Sequence, residues 1–395
     1  MTDELELQLL NQYAPNKERL AIRIAALKII KKTIFCALKG IYVTIAEYGS
    51  LPLKTFLPEG DIDLTVVVPE YQGVNITEFI LERVKAQFEY ISILHPEYSI
   101  SDLLEINAKI RLIKLRVCGI PVDISVNQLG GVRTLCFLEE IDRLFPDHFF
   151  KRCIIIAKVW AYYESRVLGS MQGLLSTYAL EILVLYIINC FPESRTSPLH
   201  VLTTMINVLA EHDWENEIIT CCGSMSASKY VLALQNCEHP EHKVDKSLKH
   251  PILSLVLLQN LQSEIGTNEG FIYPQLKLMN IIDPLDSANN LGKSVSVANF
   301  SKIQIAFKAA SEVVKVYGVS SLFSKQFYKI HKIDAIVNEG SFEEDSNSYS
   351  DNNPNKEYLP SLSANIFRLK ENLTLCKSIL DPVYGTAYHF VNSGF

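Results

Sequence analysis

The sequence predicts an α+β fold: a small mixed β-sheet module followed by a larger, mainly α-helical one. Strand-like alternation of apolar and polar residues is confined to residues 41–126, and from about Phe149 the apolar spacing becomes that of helices. At 395 residues, 48% hydrophobic and 21% charged, the chain has material for two or three globular domains. The same composition excludes collagen-like, coiled-coil, disulfide-scaffold and wholly disordered chains.

Residues Glu18 to Leu38 place Leu20, Ile24, Leu27, Ile30 and Ile34 on one helical side. A short strand, Ile41 to Ala46, precedes a loop and short helix that end in the turn Pro58-Glu59-Gly60. Asp61 to Val68 is β-branched and alternating, hence a strand, and Ile76 to Tyr90 is helical. Ala108–Val117 and Ile120–Val126 read as strands joined by the two-residue loop Cys118-Gly119. Helices follow at Phe150–Ser165, Gly173–Cys190, near Val201–Glu211, at Pro251–Glu264 and at Val297–Val316. The most apolar stretch, Leu174 to Phe191, is interrupted by Ser176, Thr177, Tyr178 and Glu181, so it reads as a buried helix and no membrane role is expected.

The net charge of −7 argues against a strongly basic nucleic-acid clamp. Its placement matters more, because residues 333–355 hold six acids and no Lys or Arg, which leaves −1 for the rest of the chain. That acidic, Ser/Asn-rich stretch reads as a linker. The nine cysteines are scattered with no CxxC pair, and the N-terminus is acidic rather than signal-like, so a reduced intracellular setting, cytoplasmic or nuclear, is expected.

The informative segment is GSLPLKTFLPEGDIDLTVV, Gly49–Val67. Asp61 and Asp63 are two apart and share one strand face, while Ile62 and Leu64 point into a core. In the later strand Asp123 and Ser125 alternate with Val122, Ile124 and Val126, so Asp123 can join that face. Three carboxylates on adjacent strands form a hard oxygen cage suited to Mg²⁺ or Mn²⁺. Pairs of such ions sit about 3.5–4 Å apart in phosphoryl-transfer sites. Gly49 lets the backbone approach a phosphate and Ser50 offers a hydroxyl at a helix start. A lone DxD reads equally as a solvated strand end; the GS turn, the step to Asp61 and a third Asp make the set specific.

This segment resembles the DNA-polymerase-β-like nucleotidyltransferases. The resemblance narrows with PVDISVNQLGGVRTLCFLEEIDRL (Pro121–Leu144), FKRCIIIAKVWAYYESRVLG (Phe150–Gly169), GLLSTYALEILVLYII (Gly173–Ile188) and MNIIDPLDSANNLGKSVSVANFSKIQIAF (Met279–Phe307). Together these look like the terminal nucleotidyltransferases, the template-independent poly(A) and poly(U) polymerases. They are most similar to plant-type members with a poly(A)-polymerase/oligoadenylate-synthetase substrate-binding domain.

The resemblance implies an active site in the cleft between a catalytic (palm) domain and the helical domain. It implies a reaction that adds a nucleoside monophosphate to an RNA 3′-hydroxyl. Asp61 and Asp63 would bridge both metals and Asp123 would complete the one that activates the hydroxyl. Lys158 would meet the triphosphate, against the alternative of a snorkelling surface lysine. The second lysine of many relatives is Tyr162 here. Ser176, Thr177 and Tyr178 match the family's S-S/T-Y, whose Tyr stacks on the base, although a Tyr in an apolar helix is ordinarily core. Asp283, Asn289 and Asn290 match the nucleotide-recognition loop. Uridylyltransferases of the family often carry His where this chain has Asn289, which favours ATP over UTP. Partners expected are the RNA 3′ end and a protein of an RNA-processing, decay or small-RNA complex. The rival readings are a UTP-using enzyme and a subunit with mainly an assembly role.

The expected organisation is an N-terminal helical segment over 1–38 packing on the central domain, a nucleotidyltransferase domain over 39–140 and the helical domain over 141–332. A linker over 333–358 and a helical extension over 359–395 follow. Two weaker signals complete the reading. Cys221, Cys222, Cys237, His239 and His242 read as a polar loop rather than a zinc site, because the spacing fits no standard finger. Lys109, Arg111, Lys114 and Arg116 read as an RNA-facing stripe or as edge-strand charges that keep a strand soluble.

Overall fold

The alternation from Asp61 onward becomes the second strand of a five-stranded sheet. A computed structural model describes residues 2–69, 75–107, 110–235, 253, 257–260 and 274–323. The chain divides into two units. Within the described residues, a sheet unit takes in 15–51 and 59–129, and a helical unit takes in 2–14, 52–58 and 130–323.

In the sheet unit, α2 (Lys17–Ala37) is followed by β1 (Thr44–Tyr48), β2 (Ile62–Val67), α4 (Ile76–Leu94), β3 (Ser101–Ile106), β4 (Leu112–Val117) and β5 (Ile120–Val126). The short α3 (Ser50–Leu53) spans the boundary between units. The strand order is β1-β2-β5-β4-β3. Only β2 and β5 run parallel, so the sheet is mixed as the sequence predicts. Val117 pairs with Ile120 around Cys118 and Gly119, which carry φ of +53° and +78°, as a type I′ hairpin requires. Ile62, Leu64, Val66, Ile113, Leu115, Val122 and Ile124 form the buried face, which α4 covers with Ile80, Leu81, Val84 and Phe88. The strand β3 is absent from the sequence reading because SDLLEI has no clean alternation.

The sheet also corrects the reading of the basic strand. The edges are β1 and β3, so β4 is internal and needs no charges against edge pairing. Its cations are engaged: Arg111 with Glu105 and Glu78, Arg116 with Asp102, Lys114 with Asp123. Lys109 lies outside the described residues.

The helical unit is built on α6 (Phe149–Val159), α7 (Thr177–Cys190), α8 (Pro198–Glu211) and α10 (Val297–Tyr317). Ser176 caps α7, its side chain accepting the Ala179 N–H, and every residue from Ala179 to Cys190 is buried. The expected helix 150–165 leaves the α-helical path at Trp160, where one turn of π-helix runs to Glu164. Helix α5 (Gly130–Arg143) was not foreseen; it buries Phe137, Leu138 and Ile141. The hairpins β6–β7 (Glu217–Thr220, Gly223–Ser226) and β8–β9 (Ile282–Asp283, Asp286–Asn290) and the helix α9 (Ala227–Gln235) were not foreseen either.

The segment over 1–38 divides between the units. Helix α1 (Thr2–Tyr13) packs on α6 and α8, with Glu6 paired to Arg152, whereas α2 belongs to the sheet unit and packs on α4. The linker over 333–358, the extension over 359–395, Cys237, His239, His242 and most of the helix expected over 251–264 lie outside the described residues. Among the described residues no helix is long and apolar enough to cross a membrane.

Candidate active site

Sheet register fixes the carboxylates. Asp63 on β2 pairs with Asp123 on β5, Tyr48 on β1 pairs with Asp63, and Lys114 on β4 pairs with Asp123. One polar row, Tyr48–Asp63–Asp123–Lys114, thus crosses four strands on the face opposite α4. Asp61 stands one residue before β2 begins and lies beyond the last ladder pair. The fields of Asp63, Asp123 and Asp61 all reach the Tyr48 phenol and, with burial as the larger cause, push it up to about 12. Burial also lifts the Asp123 carboxyl, with Lys114 opposing and Asp61 adding to the rise.

Gly49 has φ of +74°, and a Cβ there would come within 2.4 Å of Asp63 Oδ2. Only glycine permits this approach of backbone to carboxylate. Lys114 Nζ lies 2.5 Å from Asp123 Oδ2. Among the described residues no three His, Cys, Asp or Glu side chains are drawn together tightly enough to hold a metal ion. The donor set still suits a hard divalent cation: carboxylate oxygens alone, two of the acids register-paired, beside a cradle that any side chain at residue 49 would fill.

In the helical unit, Tyr178, Asp283, Asn289 and Lys293 form one hydrogen-bonded chain. The Tyr178 hydroxyl donates to Asp283 Oδ1 and Asn289 Nδ2 donates to Asp283 Oδ2, both at 2.9 Å. Lys293 Nζ donates to Asn289 Oδ1. Burial raises the Asp283 carboxyl, while the Leu285 N–H, Asn289 and Tyr178 bonds favour its charged form. The sequence reading gives Lys293 no role; its position four residues after Asn289 is the signal that was available.

Other expected site residues face elsewhere. Asn290 is 2% exposed and turned inward. Its Oδ1 accepts the Gly292 and Ile281 N–H groups, and its Nδ2 donates to Asn280, Gln275 and Met279. Lys158, expected at a triphosphate, is 5% exposed and donates to the Thr55 carbonyl at 2.8 Å. Ser176 serves as the α7 cap, and Thr177 is exposed beside it. Cys221 and Cys222 are buried with their sulfurs 3.8 Å apart.

A small mixed sheet with register-paired carboxylates is followed by a helical unit with a tyrosine–aspartate–amide chain. Residues 144–327 match the PAP/OAS1 substrate-binding domain. The chain is also similar in sequence to poly(A) RNA polymerases. The poly(A) RNA polymerase cid14 of Schizosaccharomyces pombe is 25% identical over 193 residues, 48% of this chain and 26% of that one. The poly(A) RNA polymerase gld-4 of Caenorhabditis elegans is 24% identical over 304 residues, 76% of this chain and 32% of that one. The chain therefore spans about a quarter to a third of the length of these relatives.

A crystal structure of the Cid1 poly(U) polymerase superposes with a TM-score of 0.56 at 16% identity, covering 81% of this chain and 97% of that one. A histidine-to-asparagine variant of Cid1 bound to MgATP superposes with the same TM-score at 17% identity, covering 81% and 98%. At such identity the likeness is one of fold.

Proposed function

We propose that this protein is a template-independent RNA 3′-terminal nucleotidyltransferase that transfers AMP from ATP to an RNA 3′-hydroxyl and releases pyrophosphate. The observation that carries the reading is the register pairing of Asp63 with Asp123 beside the Gly49 turn. Asp61, Asp63 and Asp123 would hold two Mg²⁺ or Mn²⁺ ions. Ions bound there would neutralise the triphosphate and favour loss of the hydroxyl proton. Gly49 presents backbone to the phosphates, with the Ser50 N–H and hydroxyl as donors at the start of α3. Lys158 meets a phosphate only by turning from Thr55; where it stands, it steadies the 52–58 segment.

Tyr178 would stack on the base, its ring oriented by the bond to Asp283. Asn289 would read the base edge. With one N–H given to Asp283 and one lone pair given to Lys293, its amide keeps one donor and one acceptor. Adenine and uracil each present a complementary pair, so the amide alone does not choose between them. The preference for ATP is supported by Asn in place of the histidine that the resemblance associates with uridylyltransferases. The asparagine variant of Cid1 with MgATP is in keeping with it. Asn290, engaged within the loop, is given a structural role.

The test is extension of a labelled single-stranded RNA with each of the four NTPs in Mg²⁺ or Mn²⁺, beside the double variant Asp61→Ala/Asp63→Ala. The expected result is extension by ATP above the other three and loss of at least ~100-fold in the double variant. Equal incorporation by that variant would overturn the mechanism, and preferential UMP addition would overturn the nucleotide assignment. Asn289→His is expected to shift the ratio toward UTP.

A further inference from the structure

Asp63 and Asp123 are fixed by the sheet, but Asp61 is not. The β1–β2 pairing ends at Tyr48 and Asp63, and the β2–β5 pairing starts at Ile62 and Val122, so no ladder hydrogen bond reaches the Gly60–Asp61 peptide. What reaches it is a side chain from the second helix. Arg23 on α2 donates an Nη2 hydrogen bond of 2.7 Å to the Gly60 carbonyl, across 37 residues of sequence. The same guanidinium contacts the Arg19 carbonyl at 3.4 Å, which ties it back to its own helix.

Arg23 is 4% exposed, a costly place for a guanidinium unless it is held by acceptors and opposite charge. Burial pushes it down to about 10, with Arg19 adding to the fall and Asp61 and Glu59 opposing it. It therefore stays charged at neutral pH, within the field of Asp61.

We propose that Arg23 is a positioning residue for the metal-binding carboxylates: it pins the Gly60–Asp61 peptide from behind, so that Asp61 joins Asp63 and Asp123 in one ligand set. The inference rests on the reading of these three acids as the metal site. It assigns to the second helix a part in metal binding that none of its residues would carry by touching a metal or a substrate.

The experiment measures Mn²⁺ binding to the full chain by electron paramagnetic resonance, together with kcat and the KM for ATP, in wild type, Arg23→Met, Arg23→Lys and Asp61→Ala. Supporting residues of this kind are worth about 10–100-fold in metal affinity. Arg23→Met is expected to weaken Mn²⁺ about tenfold and to lower kcat, with the KM for ATP at saturating metal unchanged. Arg23→Lys, which keeps a charged donor of similar reach, is expected to recover most of the loss. If Arg23→Met fails to fold, Arg23→Lys against wild type carries the test, through a smaller shift in Mn²⁺ affinity at an unchanged KM. Should Asp61→Ala weaken Mn²⁺ while the Arg23 variants bind it as wild type and only melt earlier, Arg23 merely packs the helix and the inference is overturned. Should wild type and Asp61→Ala bind Mn²⁺ alike, the metal-site reading itself fails, and the inference falls with it.

Discussion

Glu181 shows how far a single side chain can depart from what its neighbours in sequence suggest. It sits in an apolar helix, fully buried, and burial pushes its carboxyl up to about 7, with Lys158 pulling the other way. In the unfolded chain the carboxyl titrates near its ordinary value. Between that value and about pH 7 the folded state therefore binds more protons than the unfolded one, and the Glu181 contribution lowers stability as pH rises. The expected outcome is that Glu181→Gln gains stability over wild type progressively from about pH 4.5 to 7 and holds the gain above it. Denaturant titrations at several pH values measure this, and a gain independent of pH would contradict the assignment. The residues legible at this scale were those whose partners are local. Gly49, Asp61 and Asp63 are read from spacing, and Asp123 from alternation. Arg23, the Lys114 bond to Asp123 and the inward turn of Asn290 depend on contacts between distant segments, which no local pattern encodes.

Elements were legible where one periodicity ran long enough. The alternating Ile120–Val126 and the helices at 17–37 and 297–317 stand within a residue or two of their expected bounds. The short hairpins β6–β7 and β8–β9 were not, because strands of two to five residues carry almost no alternation. The loop that carries Asp283, Asn289 and Asn290 owes its shape to such a hairpin. After it, Gly292 packs so closely that a Cβ would lie 2.2 Å from the Met279 carbonyl oxygen. Gly292→Ala is expected to cost about 1–3 kcal/mol by overpacking, read as a lower denaturation midpoint with an unchanged slope. Ser176 separates two roles at the start of α7. As the helix cap alone, Ser176→Ala costs about 1 kcal/mol and leaves the KM for ATP unchanged. A rise in that KM at equal stability would assign Ser176 to the nucleotide as well.

At the scale of the whole molecule, charge placement bears on how the proposed enzyme would meet RNA. The segment over 333–355 carries six of the seven net negative charges, so the remaining body is close to neutral rather than basic. Each phosphate contact to single-stranded RNA contributes about −0.7 to the slope of log affinity against log salt. The proposed enzyme, with no net positive charge to offer, is expected to bind RNA weakly and lose that binding as salt rises. Anisotropy titrations at two salt concentrations test it, and tight, salt-insensitive binding by the chain alone would contradict it. The change of period near Phe149 falls after the point where the units part, at 129/130, because α5 joins the helical unit. The assignment of residues 52–58 to the helical unit and of α2 to the sheet unit was not legible, because it rests on packing between segments far apart in sequence.

The central claim is transfer to an RNA 3′-hydroxyl. Its most direct measurement is mass analysis of two matched RNA oligonucleotides, one ending in a 3′-hydroxyl and one in a 3′-deoxynucleotide, after incubation with ATP and Mg²⁺. The account predicts adenylate additions to the first and none to the second, with one pyrophosphate released per addition. Equal modification of both, or pyrophosphate release without growth of the RNA, would contradict it.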